Sequence, residues 1–288
     1  MSSPSFEQNR CLNEVTTFGI GGPAHYFIEV RTVEGMSQVL KYCHTHTLPF
    51  FILGKGSNTL FDDRGFKGVV IANRIVFFEQ PSEGLFHVGA GYSFSLLGSQ
   101  TARQGWSGLE FASGIPASVG GAIFMNAGAN KRETCESLVS VDFVTAEGEI
   151  KTIPRKDIEF KYRHSSFQKV SGAILGATFQ LEKASGARQH QLEIIQYRKS
   201  TQPYSDKSAG CMFRNPDIGP AGMLIDKCGL KGFKVGGAAV SSMHANFIVN
   251  KDSATSCDIL HLIEEIKRTV KEKTGIDLES EVRYIPYE

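Results

Sequence analysis

Phe50-Phe51-Ile52-Leu53-Gly54-Lys55-Gly56-Ser57-Asn58 joins a short apolar run to a glycine-rich turn. Four bulky apolar residues without a charge read as a short buried strand. The glycines that follow permit tight turns and remove the Cβ that would hold a ligand away from the main chain, while Ser57 and Asn58 add hydrogen-bonding groups. A turn with a purely structural purpose fits the same residues. The spacing is neither GxxxxGKS/T nor GxGxxG, which excludes a P-loop ATPase and a Rossmann dinucleotide site.

Before this stretch, residues 24–30 read as a strand after the Gly21-Gly22-Pro23 turn. Thr32 opens a helical pattern through Met36, Val39, Leu40 and Cys43 that Pro49 stops. Residues 69–72 supply another strand, giving a small α+β or βαβ-like unit. Further on, strands are expected at 86–88, 138–143 and 174–181, and a helix at 93–104. A second glycine accumulation stands between them, Gly114-Ile115-Pro116-Ala117-Ser118-Val119-Gly120-Gly121. Pro116 restricts this loop while its glycines allow close approach to a ligand, so a dinucleotide-sized or phosphate-containing ligand explains both accumulations economically. From 256 to 273, Ile259, Leu262, Ile263, Ile266 and Val270 repeat on one face and charged residues occupy the other, an amphipathic helix that Gly275 ends. The expected class is α+β, in three lobes at 1–74, 75–184 and 185–288.

The 288 residues carry 31 lysines and arginines against 30 aspartates and glutamates. The charges are interspersed, which argues against nucleic acid and membrane surfaces as partners. Six cysteines lack the short paired spacing of metal ligands, so no metal is expected. No apolar run approaches the ~18 residues of a membrane helix and the N-terminus carries no leader pattern. A cytoplasmic protein with reduced thiols is the expectation.

The ordered set of segments resembles the UDP-N-acetylenolpyruvoylglucosamine reductase (MurB) family, and the likeness spans almost the whole chain. It is carried by Thr17-Phe18-Gly19-Ile20-Gly21-Gly22, by 53–58, by 114–121 and by Asn126-Ala127-Gly128-Ala129. It continues through Tyr162-Arg163-His164-Ser165, Ser208-Ala209-Gly210-Cys211-Met212-Phe213-Arg214-Asn215-Pro216, Leu224-Ile225-Asp226, Gly229-Leu230-Lys231-Gly232 and Glu281-Val282-Arg283. The short third lobe and the form of the Cys211 segment resemble the type II branch. The resemblance implies an FAD-binding fold of the vanillyl-alcohol-oxidase (PCMH-type) class over the first two lobes, with an α+β substrate domain after them. It implies that Gly54, Lys55, Gly56, Ser57 and Asn58 contact the FAD diphosphate. Gly114, Ile115, Pro116, Ser118, Gly120, Gly121, Asn126, Ala127 and Gly128 would run along the cofactor. Asn130 stands where glycine is common in the family, so a different loop path after Ala129 is expected.

The resemblance further implies that NADPH reduces FAD and that hydride then passes from flavin N5 to UDP-N-acetyl-3-O-(1-carboxyvinyl)-glucosamine, giving UDP-N-acetylmuramate. Reducing an enol ether beside a carboxylate sends negative charge into that carboxylate. Such chemistry demands a fixed cation, a second polar or acidic hydrogen-bond donor and a proton donor. Arg163 suits the first role, because guanidinium stays charged and forks onto carboxylates, although a surface ion pair fits an isolated arginine equally. Glu281, read alone, can pair with Arg283 or face solvent. The family pattern sets it against the enolpyruvyl carboxylate, where a neighbouring like charge favours its protonated form. Cys211 departs from the family's serine at the proton-donor position. A thiol, with an ordinary pKa of about 8.5, can give the same proton, and sensitivity to oxidants and alkylating agents should follow. By motif position, Tyr162, Arg214, Asn215, Lys231 and His244 are substrate-site candidates, although Asn215-Pro216 also reads as a simple turn. The partners implied are a UDP-sugar and no macromolecule, and a monomer is expected. An FAD-dependent oxidase of the same fold, or a non-catalytic nucleotide-binding protein, shares the glycine segments.

Overall fold

A computed structural model describes residues 4–288. Residues 4–7, 27–55 and 68–198 form one compact unit, and residues 8–26, 56–67 and 199–288 form a second. The division differs from the three lobes expected above, since parts of the first lobe go to each unit. Its physical reason lies in the second unit, where Phe18, Ile20 and Leu60 enter the same core as Leu224, Ile248, Ile259 and Ile266. Burial groups segments that are remote in sequence, and no local pattern shows this.

In the first unit, strand Phe50–Leu53 pairs in parallel with strand Phe66–Asn73, Phe50 opposite Val69 and Leu53 opposite Ala72. Helix α1, Val33–Thr45, precedes it. The Thr32 side chain accepts from the Gly35 N–H at its start, and Met36, Val39, Leu40 and Cys43 form the buried stripe. A five-stranded antiparallel sheet follows, in the order Ile150–Pro154, Leu138–Thr145, Gly172–Gln180, Leu85–Gly89, Phe78–Ser82. Val141, Phe143, Ala177, Phe179, Phe86 and Val88 turn from it into a core shared with helix α2, Phe94–Arg103, and helix α3, Val119–Phe124. Helix α4, Ala187–Thr201, leads to the second unit, burying only Ala187, Gln191 and Ile194.

The second unit carries an antiparallel sheet in the order Lys207–Cys211, Phe247–Asn250, Ala238–Val240, Lys234–Val235. Helix α5, Ala221–Lys227, and helix α6, Ser256–Thr274, share its core. At the start of α6, Thr255 and Asp258 exchange side-chain-to-main-chain bonds in a capping box, and Gly275 closes the helix at φ 76°. The expected apolar stripe is the buried one, because period and burial agree along its whole length. Strand Thr59–Phe61 runs parallel to strand Arg283–Ile285. Among the described residues no helix is long and apolar enough to cross a membrane.

Asp62, which follows the first of these strands, is 6% exposed. It accepts from Arg64 Nε at 2.9 Å, from Arg64 Nη2 at 2.8 Å and from the Tyr284 hydroxyl at 2.6 Å. The Arg64 guanidinium, first, and the Tyr284 hydroxyl hold the Asp62 carboxyl well below the usual carboxylate range. The same bond to Asp62 pushes the Tyr284 phenol up to about 12. The carboxylate's contribution to stability is therefore complete above about pH 4 and is lost as the pH falls below that. The phenol's is complete below about pH 10 and is lost as the pH rises from there through about 12. Tyr284→Phe should lower the unfolding midpoint by about 3 °C near neutral pH and remove the phenol's share of alkaline destabilisation. Scanning calorimetry on both proteins at about pH 8 and about pH 11 measures the two effects.

Candidate functional site

Each glycine segment has a distinct physical duty. At Gly54 an added Cβ would lie 2.5 Å from Ser118 Oγ, so only glycine lets these two segments meet. Ser118 is not free to turn away, since its hydroxyl accepts from the Gly121 N–H at 3.2 Å as the cap of α3. Around this meeting point Arg74 Nη1 donates to the Gly54 carbonyl at 2.7 Å, and Lys55 Nζ donates to Ser93 Oγ at 3.0 Å. Burial, and secondarily the Arg74 charge, push the Lys55 ammonium below its ordinary pKa. A partly desolvated lysine beside a second cation gains from a bound anion, which relieves both costs. Gly114, at φ 84°, donates its N–H to Ser95 Oγ at 2.7 Å. A Cβ at Gly120 would stand 3.0 Å from that of Ala90. Ile115 N–H bonds to the Ala112 carbonyl and Ala117 N–H to that of Ile115, so the turn around Pro116 is tight. The sequence marks neither Arg74 nor Ser93 as part of this cradle, because their bonds to Gly54 and Lys55 join positions 20 and 38 residues apart.

The same unit holds Arg163. Strands Phe160–Lys161 and His164–Ser165 pair as a hairpin whose two loop residues are Tyr162 and Arg163. Arg163 takes φ 54°, a left-handed conformation costly for a residue with a long side chain and worth about 1–3 kcal/mol. The surrounding structure holds it there. Gln168 Nε2 donates to the Arg163 carbonyl at 3.2 Å and to that of Phe124 at 2.9 Å. Asn126 Nδ2 donates to the Lys161 carbonyl at 3.1 Å and to Glu133 Oε2 at 2.8 Å. Asn126 is wholly buried, and its Oδ1 accepts from the Cys135 N–H, so its amide is engaged by the protein at both ends. Ala127 passes its N–H to the Ala122 carbonyl. The guanidinium of Arg163 lies over the Tyr162 ring, 4.8 Å from its centroid, and Nη2 donates to the Gly128 carbonyl at 3.1 Å. Beyond Gly128, strands Gly128–Ala129 and Arg132–Glu133 are joined by Asn130 and Lys131, both left-handed at φ 53° and 62°. Asparagine tolerates that conformation better than most residues, so Asn130 keeps a geometry that suits glycine.

In the second unit, Gly56 at φ 63° lies against Thr16, whose Cα a Cβ would meet at 2.8 Å. The chain then passes through Ser57 to Asn58, whose Nδ2 donates to the Glu281 carbonyl at 3.2 Å. The Glu281 N–H in turn donates to the Met212 carbonyl at 2.8 Å, and Arg214 N–H to the Glu279 carbonyl at 2.9 Å. Gly210, at φ 77°, stands where a Cβ would be 3.9 Å from the Ser57 carbonyl. Segments 56–58, 210–214 and 279–283 therefore converge, bringing Cys211, at the end of its strand, and Glu281, just before the last strand, onto neighbouring segments. Cys211 lines a cleft of about 610 Å³ with Asn215, Lys227, Lys231, His244 and Asn246. Lys231 Nζ pairs with Asp226 at 2.8 Å, and Asn215 Oδ1 accepts from the Ala221 N–H at 3.0 Å. The Arg214 guanidinium lies 3.8 Å from Glu279. Among the described residues no cluster of three metal-ligating side chains occurs.

Comparison with known proteins gives this arrangement a class. Residues 24–154 match the model of an FAD binding domain, and residues 202–285 match that of the UDP-N-acetylenolpyruvoylglucosamine reductase C-terminal domain. The chain is thus a flavoprotein oxidoreductase, with an FAD-binding fold of the PCMH type and a C-terminal α+β substrate domain. It is 63% identical over 289 residues to the UDP-N-acetylenolpyruvoylglucosamine reductase of Protochlamydia amoebophila, covering all of this chain and 97% of that protein. To the reductase of the same name from Chlamydia trachomatis serovar A it is 49% identical, covering 98% and 97% of the two chains. The crystal structure of the Thermus caldophilus enzyme (MurB) superposes with a TM-score of 0.83 at 35% identity, over 98% of this chain and 99% of that one. The chain belongs to the UDP-N-acetylenolpyruvoylglucosamine reductase family.

The glycine cradle at Gly54, with two cations and two hydroxyls beside it, fits the diphosphate of FAD. Gly54→Ala forces Ser118 aside, and the variant is expected to bind FAD at least about tenfold more weakly. The ratio of flavin to protein absorbance after purification, and titration of the apoprotein with FAD, measure it.

Proposed function

We propose that the protein performs its family's reaction, the NADPH-dependent reduction of UDP-N-acetyl-3-O-(1-carboxyvinyl)-glucosamine to UDP-N-acetylmuramate for peptidoglycan synthesis, with Arg163, Cys211 and Glu281 as its chemical groups. The observation that carries the assignment is the bond from Glu281 N–H to the Met212 carbonyl, which sets the carboxyl-bearing segment beside the thiol-bearing one. FAD, when bound, relays the hydride from NADPH to the β carbon of the enol ether. Gly54, Lys55, Gly56, Ser57 and Asn58 hold the cofactor's diphosphate in this reading. Gly114, Ile115, Pro116, Ser118, Gly120, Gly121, Ala127 and Gly128 line its path, and Asn126 serves that path by holding the chain around it.

Hydride arriving at the β carbon leaves a pair of electrons on the α carbon, delocalised into the carboxylate. Arg163 meets that charge with a guanidinium that stays ionised, and its main chain is held in place before substrate arrives. Glu281, protonated beside the substrate carboxylate, gives a hydrogen bond to the developing enolate. Cys211 delivers its thiol proton to the α carbon and is left as a thiolate, which solvent reprotonates. In the cleft, Lys231, His244 and Asn215 meet the sugar nucleotide, with Tyr162 and Arg214 as further contacts. A cytoplasmic monomer acting on this soluble UDP-sugar, without nucleic acid or membrane, completes the proposal.

Anaerobic NADPH should bleach the flavin of the purified protein, and the UDP-enolpyruvyl sugar should then restore its colour. Cys211→Ala should slow only the second phase, by about 10²- to 10⁴-fold, and Cys211→Ser should recover most of the rate. Alkylation provides an independent measurement. Cys43 and Cys228 are buried, and burial pushes the Cys43 thiol up to about 11, which leaves it unreactive. Cys11 and Cys257 are exposed and Cys135 is half-buried, as Cys211 is, so these three are replaced by serine first. In that background, full labelling of Cys211 with undiminished turnover would overturn its role.

A further inference from the structure

We propose that Asn246 is a positioning residue for the reduction, one buried amide that aligns Cys211 with Glu281 and, through its own main chain, orients His244. The inference rests on the proposed role of Cys211 as proton donor. Asn246 is 3% exposed. Its Oδ1 accepts from the Phe213 N–H at 2.9 Å and its Nδ2 donates to the Phe213 carbonyl at 2.8 Å. Its carbonyl accepts from the Met212 N–H at 2.7 Å. The side chain thus takes the place of a strand partner just where the ladder between Lys207–Cys211 and Phe247–Asn250 ends, beyond the pair Cys211 and Phe247. Met212 in turn accepts from the Glu281 N–H at 2.8 Å. Asn246 is therefore two main-chain hydrogen bonds from Glu281 and one from the residue after Cys211.

The same residue addresses the other side of the cleft. Its main-chain N–H points to His244 Nδ1 at 3.2 Å. An N–H can only donate, so Nδ1 accepts, and the neutral ring carries its proton on Nε2. The edge of the Phe247 ring and Gly222 confine the imidazole: the ring centroids are 4.9 Å apart, and a Cβ at Gly222 would reach His244 Cε1 at 3.2 Å. Cys211, His244, Gly222 and Asn246 all line the one cleft. The chemistry of the Phe213 pairing selects asparagine. Aspartate has no donor for the Phe213 carbonyl, leucine has neither group, and glutamine is one methylene too long for a site this enclosed.

The test uses the flavin-loaded enzyme. Asn246→Ala and Asn246→Ser should keep their flavin and be bleached by NADPH within about twofold of the parent rate, because the cofactor cradle is untouched. Recolouring by the UDP-enolpyruvyl sugar should slow by about tenfold to a hundredfold, the scale expected of a group misplaced by about 1 Å. The parallel Cys211→Ala measurement separates the two ideas. Wild-type recolouring in Cys211→Ala refutes the proton-donor reading, whereas slow recolouring there with a normal phase in both Asn246 variants refutes the positioning role. Nitrogen-15 NMR of histidine-labelled parent enzyme, assigned with His244→Gln, needs no Asn246 variant to fold. An Nε2-protonated neutral ring is expected at about pH 8, and an Nδ1-protonated ring overturns the His244 half of the proposal.

Discussion

The second unit depends on main-chain hydrogen bonds made by Glu281 to chain segments on either side of it. Its N–H reaches Met212 and its carbonyl receives Asn58, a residue 223 positions away in sequence. A peptide group buried without partners is costly, so these bonds fix the register of three remote segments together. Arg283 N–H to the Asn58 carbonyl and the parallel pairing of Thr59–Phe61 with Arg283–Ile285 extend the seam. The main chain does the holding at this seam.

A related economy operates in the first unit, with side-chain amides as the holding groups. Asn126 and Gln168 secure the hairpin that bears Arg163, and the left-handed φ at its tip is maintained by the surroundings. Polar groups that support reactive ones are needed in fixed positions before substrate binds, since reorganisation during the reaction would raise the barrier. The cationic glycine cradle follows the same logic, with Ser118 tied to its helix and Lys55 to Ser93.

Much of this was legible in the sequence wherever a local period governed. The stripe of α6 and the helices starting after Thr32 and Ser93 each repeat with the spacing their burial requires, and Phe50–Leu53 is the expected strand, although only Leu53 of its four residues is fully buried. Helix α3 was hidden in a glycine run read as loop, and α4 buries too few apolar residues for a clear pattern. The partition into units was hidden more deeply, since Phe18 and Leu60 announce burial but not the partners they are buried with. Motifs singled out Arg163, Cys211 and Glu281. They could not single out Arg74, Gln168 or Asn246, whose significance resides in one or two hydrogen bonds to residues far along the chain.

The interleaving of segments also bears on how the chain is made. A ribosome releases residues 8–26 and 56–67 early, yet their partners lie in 199–288. Strand Thr59–Phe61 must wait for Arg283–Ile285, almost the whole length of synthesis, with its edge unpaired and Leu60 and Phe61 without their final burial. At elongation rates of about 5–20 residues per second that interval lasts on the order of ten seconds or more, long compared with the about 1–10 µs in which a β-hairpin forms. The nascent chain therefore carries this edge unpaired through most of its synthesis, and exposure of that kind favours aggregation.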